Sequence, residues 1–150
     1  ASGDAAPAKP RVANAFLHHF RELQKPEDFQ LITAALIRIL TNPIVAHNTY
    51  LPGAKKQVAF HQEMLMLLWR LLLENKHYVA YLLKRPDNTD EVLKLVRAVL
   101  HFVHEGRKDP AQLGLVHLGT FVLLFLSGER EVSVALNAPV VTKSTMTSFP

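Results

Sequence analysis

The 150-residue sequence contains no cysteine and only six glycines. Without cysteine the chain has no disulfide framework, no thiolate-bound zinc or iron–sulfur site and no cysteine nucleophile. No glycine stands in a G-x-G-x-x-G or G-x-x-x-x-G-K-[ST] arrangement, which argues against a phosphate-binding loop. What the chain does have is 49% hydrophobic residues, enough for one core at this length.

The charge is only mildly positive, with 17 Lys and Arg against 13 Asp and Glu. The excess lies between residues 55 and 108, where three basic doublets stand near predicted helix ends: Lys55-Lys56, Lys84-Arg85 and Arg107-Lys108. They could gather into one patch that meets anionic lipid or an acidic protein, or remain separate solvated ends. No aromatic residues interleave with them as a single-strand platform requires, so no nucleic acid is expected.

The first ten residues, ASGDAAPAKP, do not begin with Met and contain no apolar run. They cannot bury enough surface to offset their ordering entropy, so a disordered segment or linker is predicted over 1–10. A signal peptide is not indicated, because its apolar region is missing. Two origins remain open: an interior piece of a longer protein, or the mature start left after removal of a targeting sequence.

Apolar residues at three- and four-residue steps predict a helical domain over 11–139, followed by a tail over 140–150. Pro26 opens the second helix and Asn42-Pro43 is expected to end it. The predicted helices, about six, span 12–23, 26–42, 55–74, 77–83, 90–105 and 113–126. Paired helices joined by short turns predict an all-α fold of the armadillo or HEAT type, an α-solenoid segment.

The third and sixth predicted helices are apolar over most of their circumference, so neighbouring helices or another subunit are expected to cover part of them, and the third should be packed on more than one side. The sixth is fourteen residues long, almost wholly apolar, and reaches about 21 Å, too short for a bilayer core of about 30 Å, so a buried central helix is expected. After Ser127-Gly128, the alternation of Val132, Val134 and Leu136 predicts an extended segment on the helical core.

Catalytic chemistry finds little support, and no catalytic residue, metal or cofactor is expected. His101 and His104 lie three apart on one helix beside Glu105, but no third metal ligand stands at a defined spacing. His61-Gln62-Glu63 places its groups on diverging helix faces. No serine lies in a nucleophile-elbow sequence, and carboxylates such as Glu129 and Glu131 are typical of turns and caps.

Two blocks of sequence, 48–84 and 107–139, resemble the dymeclin and high-temperature-induced dauer-formation protein family. An N-T-Y-L-P loop precedes a K-x-x-x-F-x-Q-E helix with a tryptophan and a following N-K, and a G-L-x-H-x-G-x-F-x-L-L-x-L-S-G-E-R stretch comes later. The matching positions are Asn48, Thr49, Tyr50, Leu51, Pro52, Phe60, Gln62, Glu63, Trp69, Asn75, Lys76, Gly114, Leu115, His117, Gly119, Phe121, Leu123, Leu124, Leu126, Ser127, Gly128, Glu129 and Arg130.

The resemblance implies a helical, armadillo-like protein without known catalysis that associates peripherally with Golgi membranes and works in secretory sorting and trafficking. Such proteins are several times longer than this chain and start with a myristoylated Met-Gly, which is absent here. The expected function is a non-enzymatic scaffold whose partners are other proteins or the remainder of a longer helical chain. The alternative is a helical accessory subunit of a large organellar complex, for example at a mitochondrial membrane.

Structural roles are predicted for the matching residues. Gly114 and Gly119 on a buried helix each cost about 1 kcal/mol relative to alanine, which is worthwhile only where another backbone packs closely. His117 between them is expected to be buried and to bond either the Tyr50-Leu51-Pro52 corner or the turn at 127–130.

Overall fold

The computed structural model describes residues 14–47 and 60–137, and within these ranges it contains helices and no strand. The all-α prediction is therefore confirmed. The α-helices are α1 Ala15–Glu22, α2 Pro26–His47, α3 His61–Glu74, α4 Lys76–Leu83, α5 Thr89–Gly106, α6 Leu113–Ser127 and α7 Arg130–Asn137. Short 3-10 turns, Pro86–Asn88 and Pro110–Gln112, lead into α5 and α6. The predicted linker over 1–10, the Tyr50-Leu51-Pro52 corner and the 140–150 tail lie outside the described residues.

Helix α5 lies at the centre of the fold, packed between α2 on one side and α6 on the other. Helix α3 packs across both α2 and α6, and α1, α4 and α7 cover the remaining sides. The side chains with no exposed surface come from several of these helices and include Leu40, Leu65, Leu68, Leu71, Tyr78, Leu95, Ala98, Val99 and Val122. A single core thus holds the helices together.

Helix α2 continues through Pro43 to His47, so the prediction that Asn42-Pro43 ends it is wrong. Proline lacks an amide N–H and so removes one hydrogen bond of the helix. Ile44, beyond the proline, packs against the core, and the buried side of α2 carries Phe29, Leu36 and Leu40. This tertiary packing outweighs the local preference to stop.

Asn75 joins α1 to the junction between α3 and α4. Its fully buried side chain donates through Nδ2 to the carbonyl oxygens of Phe20 at 2.8 Å and Leu23 at 3.0 Å. Its Oδ1 accepts from the amide of Tyr78 at 2.8 Å and so caps the start of α4. One amide side chain therefore satisfies backbone groups of two separate segments.

Residues 130–137 form helix α7 and not the predicted extended segment. Val132 is buried while Val134 is 61% exposed and Leu136 is 54% exposed. The alternation that suggested a strand comes from only three residues, too few to distinguish a strand from two turns of helix. Helix α7 packs on α5 and α6, and this contact gives it the partner that a lone strand lacks.

Two helical stretches, Pro26–Val45 and Pro110–Ser127, are long and apolar enough to cross a membrane by length and composition alone. The second is 18 residues long because the three-residue turn before α6 and Ser127 at its end add four residues to the fourteen predicted. Core helices of soluble proteins meet the same criterion, so this finding is weak evidence for a membrane span.

Candidate functional site

Helix α6 packs on one side only, so the prediction of a buried central helix is wrong. Its inner side carries the buried residues Leu115, Gly119, Val122 and Leu126, which meet α5 and α3. On its outer side Leu113 is 57% exposed, Phe121 52% and Leu124 62%. No Asp, Glu, Lys or Arg occurs from Pro110 to Ser127. The apolar character predicted the burial, but α6 lies at the edge of the described helical layer.

An aromatic cluster extends this outer side onto α3. The half-buried ring of Trp69 stacks on Phe121 with centroids 6.0 Å apart and meets Phe125 edge-on at 6.4 Å. Offset-stacked and edge-on pairs of this kind add stabilisation beyond their buried area. The tryptophan of the family motif therefore fixes α6 against α3.

The two motif glycines of α6 have opposite surroundings. A Cβ added at Gly119 would lie 2.6 Å from Cγ2 of Val103 and 3.4 Å from Cγ1 of Val99, so α5 approaches it closely through side chains. A Cβ at Gly114 would meet nothing within 4 Å, and the prediction of a close approach there is wrong. A Cβ added at Gly106 would also lie close to its surroundings, 2.9 Å from Cγ2 of Val116, and the sequence does not indicate this packing.

His117 is exposed, so the prediction of a buried imidazole is wrong. The turn that was its expected partner lies at the far end of α6, ten residues or about 15 Å along the helix. His117 instead shares the outer side of α6 with Leu113, Thr120 and Leu124, all exposed. The sequence does not predict this row. Apolar residues occur on every side of α6, so their pattern does not indicate which side faces the core.

The motif residues 127–130 form the turn between α6 and α7. The Ser127 hydroxyl donates to the carbonyl oxygen of Leu124 at 2.9 Å, and the amide of Gly128 donates to the same oxygen at 3.2 Å. The amide of Glu129 donates to the oxygen of Leu126 at 3.2 Å, and Arg130 begins α7. These bonds close the last turn of α6.

The motif residues Gln62 and Glu63 are exposed in the first turn of α3. Glu63 lines an open groove between α1 and α3 together with Phe16, Met66 and Arg70. Phe16 is 71% exposed and Met66 50% exposed, so the groove is a second exposed apolar feature of the structure.

The two basic doublets that the structure describes lie at opposite ends of α5. Lys84-Arg85 precedes α5 and Arg107-Lys108 follows it, so 18 helical residues, about 27 Å, separate them. Lys108 bonds Glu105 at 2.9 Å, which lowers the pKa of that carboxyl, and Arg85 lies over the ring of Tyr81 at 5.6 Å. Lys55 and Lys56 lie outside the described residues.

Two of the three histidines that were considered for a metal site pack against an aromatic ring. The ring of His61 stacks on Phe102 at 5.0 Å, and His101 meets the same ring edge-on at 5.7 Å. His104 is exposed beside Glu105. Among the described residues a different group brings three possible metal-ligand atoms close together. It consists of His18, His19 and Glu22, which the sequence analysis did not single out. All three are exposed on α1, at spacings ordinary for helix-surface ion pairs.

Two buried hydroxyl groups, of Tyr78 and Thr33, form a hydrogen bond within the core. The hydroxyls of Tyr78 and Thr33 lie 3.1 Å apart and join α4 to α2. Burial raises the pKa of Tyr78 far above the usual value for a phenol, so this hydroxyl stays protonated. A tyrosine held neutral in the core links helices and does not act as a base.

These features together define a helical protein whose exposed, charge-free apolar helix suits contact with another macromolecule. The family model for the high-temperature-induced dauer-formation protein matches residues 3–149. The chain belongs to this family.

The relatives are similar over most of this chain. The mouse (Mus musculus) and human (Homo sapiens) proteins named Protein HID1 are each 40% identical over 139 residues, which is 93% of this chain. A fission-yeast (Schizosaccharomyces pombe) protein, 27% identical over 126 residues or 84% of this chain, carries the name Ubp5-interacting protein ftp105. The chain spans 17% of the length of the mouse and human relatives and 13% of the yeast one. No solved structure matches it.

Proposed function

We propose that this chain is a non-enzymatic helical interaction module of a protein that works in secretory sorting at the cytoplasmic face of Golgi membranes. The observation that carries the interaction role is the outer side of α6, apolar and exposed over Leu113, Phe121 and Leu124. Exposed apolar patches of this kind mark contact sites on folded proteins. The Golgi setting and the armadillo-like stacking rest on the family resemblance.

Two further observations support an interaction role over catalysis. The name of the yeast relative describes it as the interactor of another protein. Within the described ranges the buried side chains Thr33, Asn75 and Asn88 each bond another group of the fold, whereas the buried atoms Asn42 Oδ1 and Glu91 Oε2 have no hydrogen-bond partner. A membrane contact through basic helix ends would involve the two ends of α5 separately.

The test is localisation and partner capture with the intact protein carrying Leu124→Glu. We expect the wild-type protein to colocalise with a Golgi marker and to retain partners that the variant loses. Lys94→Glu is the matched control, because Lys94 lies on the exposed polar side of α5 and should keep both properties. Vesicle co-sedimentation at low and high salt tests the membrane contact. A wild-type protein that never reaches the Golgi would contradict the proposed setting.

A second candidate, an accessory subunit of a large organellar complex, is favoured by the outer side of α2. Leu31 is 72% exposed there and lies beside the exposed Ala34 and Ala35. Two apolar sides on different helices suit a subunit with neighbours on both. A mitochondrial location and co-migration with a large complex on native gels, both lost with Leu31→Glu, would support this candidate over the Golgi module.

A further inference from the structure

The outer side of α6 carries a row with the spacing of a coiled-coil seam. Leu113, His117, Thr120 and Leu124 are separated by four, three and four residues, and all four are exposed. Alternating steps of four and three keep side chains on one face of a helix over several turns, and this is the pattern by which two helices pack along each other. The row is therefore shaped to receive another helix.

The composition of the row restricts which helix it receives. Every other α-helix of the described ranges contains at least one charged side chain, whereas α6 contains none. A two-fold contact between identical helices places equivalent surfaces together. A face with charges of one sign would therefore bring like charges close to each other. A neutral face avoids this repulsion and is compatible with a second copy of itself.

The order of residues in the row is also self-complementary. Leu113 and Leu124 are equally far from the midpoint between residues 118 and 119, and so are His117 and Thr120. We propose that α6 packs antiparallel against α6 of a second copy of this chain, across a two-fold axis at that midpoint. Leu113 then meets the partner's Leu124 twice, and His117 meets the partner's Thr120 twice.

This arrangement gives the exposed His117 a bonding partner. The hydroxyl of Thr120 donates to the carbonyl oxygen of Val116 at 2.8 Å, so its oxygen still has a free lone pair. An imidazole N–H of His117 donates to that oxygen of the partner's Thr120. A polar pair at the centre of an apolar seam fixes register and orientation, because any shifted alignment buries both groups without a bond.

The contact is small, so the association is weak. The row spans about 18 Å of helix, and Phe121 with Trp69 widens it on one side. A standard protein interface buries about 800 Å² on each partner, more than a single pair of helices of this length provides. The dimer should therefore form in a concentration-dependent manner and dissociate on dilution.

The test is sedimentation equilibrium of the purified 150-residue chain over a range of concentrations. We expect the mass to rise from monomer toward dimer with concentration, and Leu124→Glu to weaken association at least about tenfold because it buries a charge against the partner's Leu113. Adding Leu113→Lys to Leu124→Glu should restore association. In the antiparallel pairing the introduced lysine of each copy faces the introduced glutamate of the other. Leu31→Glu, an equal change on α2, should leave association unchanged.

A chain that stays monomeric at every concentration overturns the proposal, and so does a double variant no stronger than Leu124→Glu alone. If other parts of a longer family chain, or lipid, cover α6, any association of the purified chain does not depend on pairing of Leu113 with the partner's Leu124. The double variant is then no stronger than Leu124→Glu alone, and the proposal fails. This outcome is independent of the proposed Golgi function, since the experiment contains one pure protein. Conversely, a double variant that restores self-association without restoring capture of other proteins separates the two roles.

Discussion

Helices α5 and α6 are neighbours of similar length, yet only α5 has a buried apolar side and an exposed charged side. Helix α5 buries Val92, Leu95 and Val99 and exposes charged residues such as Lys94 and Arg97 on the other side. Helix α6 buries as regular an inner row but exposes leucine and phenylalanine. The difference indicates that α5 is complete within this fold, whereas the outer side of α6 is left for another surface.

The largest expected effect compares leucine truncations in the two helices. Leu95 of α5 has no exposed surface, so Leu95→Ala should lower the free energy of unfolding by about 2–5 kcal/mol. Leu124 of α6 is 62% exposed, and Leu124→Ala should change it by less than about 0.5 kcal/mol in dilute solution. Urea unfolding of both variants measures the difference. Equal losses would mean that the outer side of α6 is buried within the monomer.

A smaller effect is expected where the two helices meet. Gly119→Ala places a methyl group 2.6 Å from Val103, and such overpacking costs about 1–3 kcal/mol even though alanine favours a helix. Combining it with Val103→Ala, which removes the clashing methyl groups, should cost less than the sum of the two single changes. Additive losses in thermal or urea unfolding would show that the contact is not what constrains Gly119.

The smallest effect has the opposite sign. Gly114→Ala adds a methyl group in open space near the start of α6 and should stabilise the chain by up to about 1 kcal/mol. Calorimetry of the dilute protein measures this gain as a higher melting temperature. A loss of stability at Gly114 as large as that at Gly119 would remove the distinction between the inner and outer sides of α6.

The sequence predicts α5 well because its apolar and charged residues separate cleanly. The predicted capping is not seen at its start, where Asn88 makes no side-chain capping bond and donates instead to the carbonyl oxygen of Tyr81. The sequence predicts that α6 is a helix but not which of its sides faces the core. Apolar residues occur all round this helix, so their spacing does not distinguish a buried side from an exposed one. The apolar sequence around His117 predicts its burial, but Leu113 and Leu124, one turn and two turns away on the same side of α6, are exposed. The continuation of α2 through Pro43 depends on packing of Ile44 that no local signal contains.

The family motif was the most informative feature for the site, and its meaning differs along the chain. Trp69 and Gly119 hold α3, α5 and α6 together, and Ser127 to Arg130 form a turn. His117 and Gly114 have no such duty within the described ranges. Sequence similarity alone does not separate these two groups, because both kinds of residue occur in one continuous stretch.

The bonds of Asn75 have a consequence for motion. Helix α1 is only eight residues long. The Asn75 side chain donates to two carbonyl oxygens in and just after α1, Arg21 pairs with Glu74, and the ring of Phe20 is buried in the core. So short a helix is not stable alone in water. We therefore expect α1 to detach as a unit while the remaining core stays folded, with amide hydrogens that exchange faster than those of α5. Its detachment would uncover the side of α3 that carries Leu67, and so expose a further apolar surface on α3 without unfolding that helix.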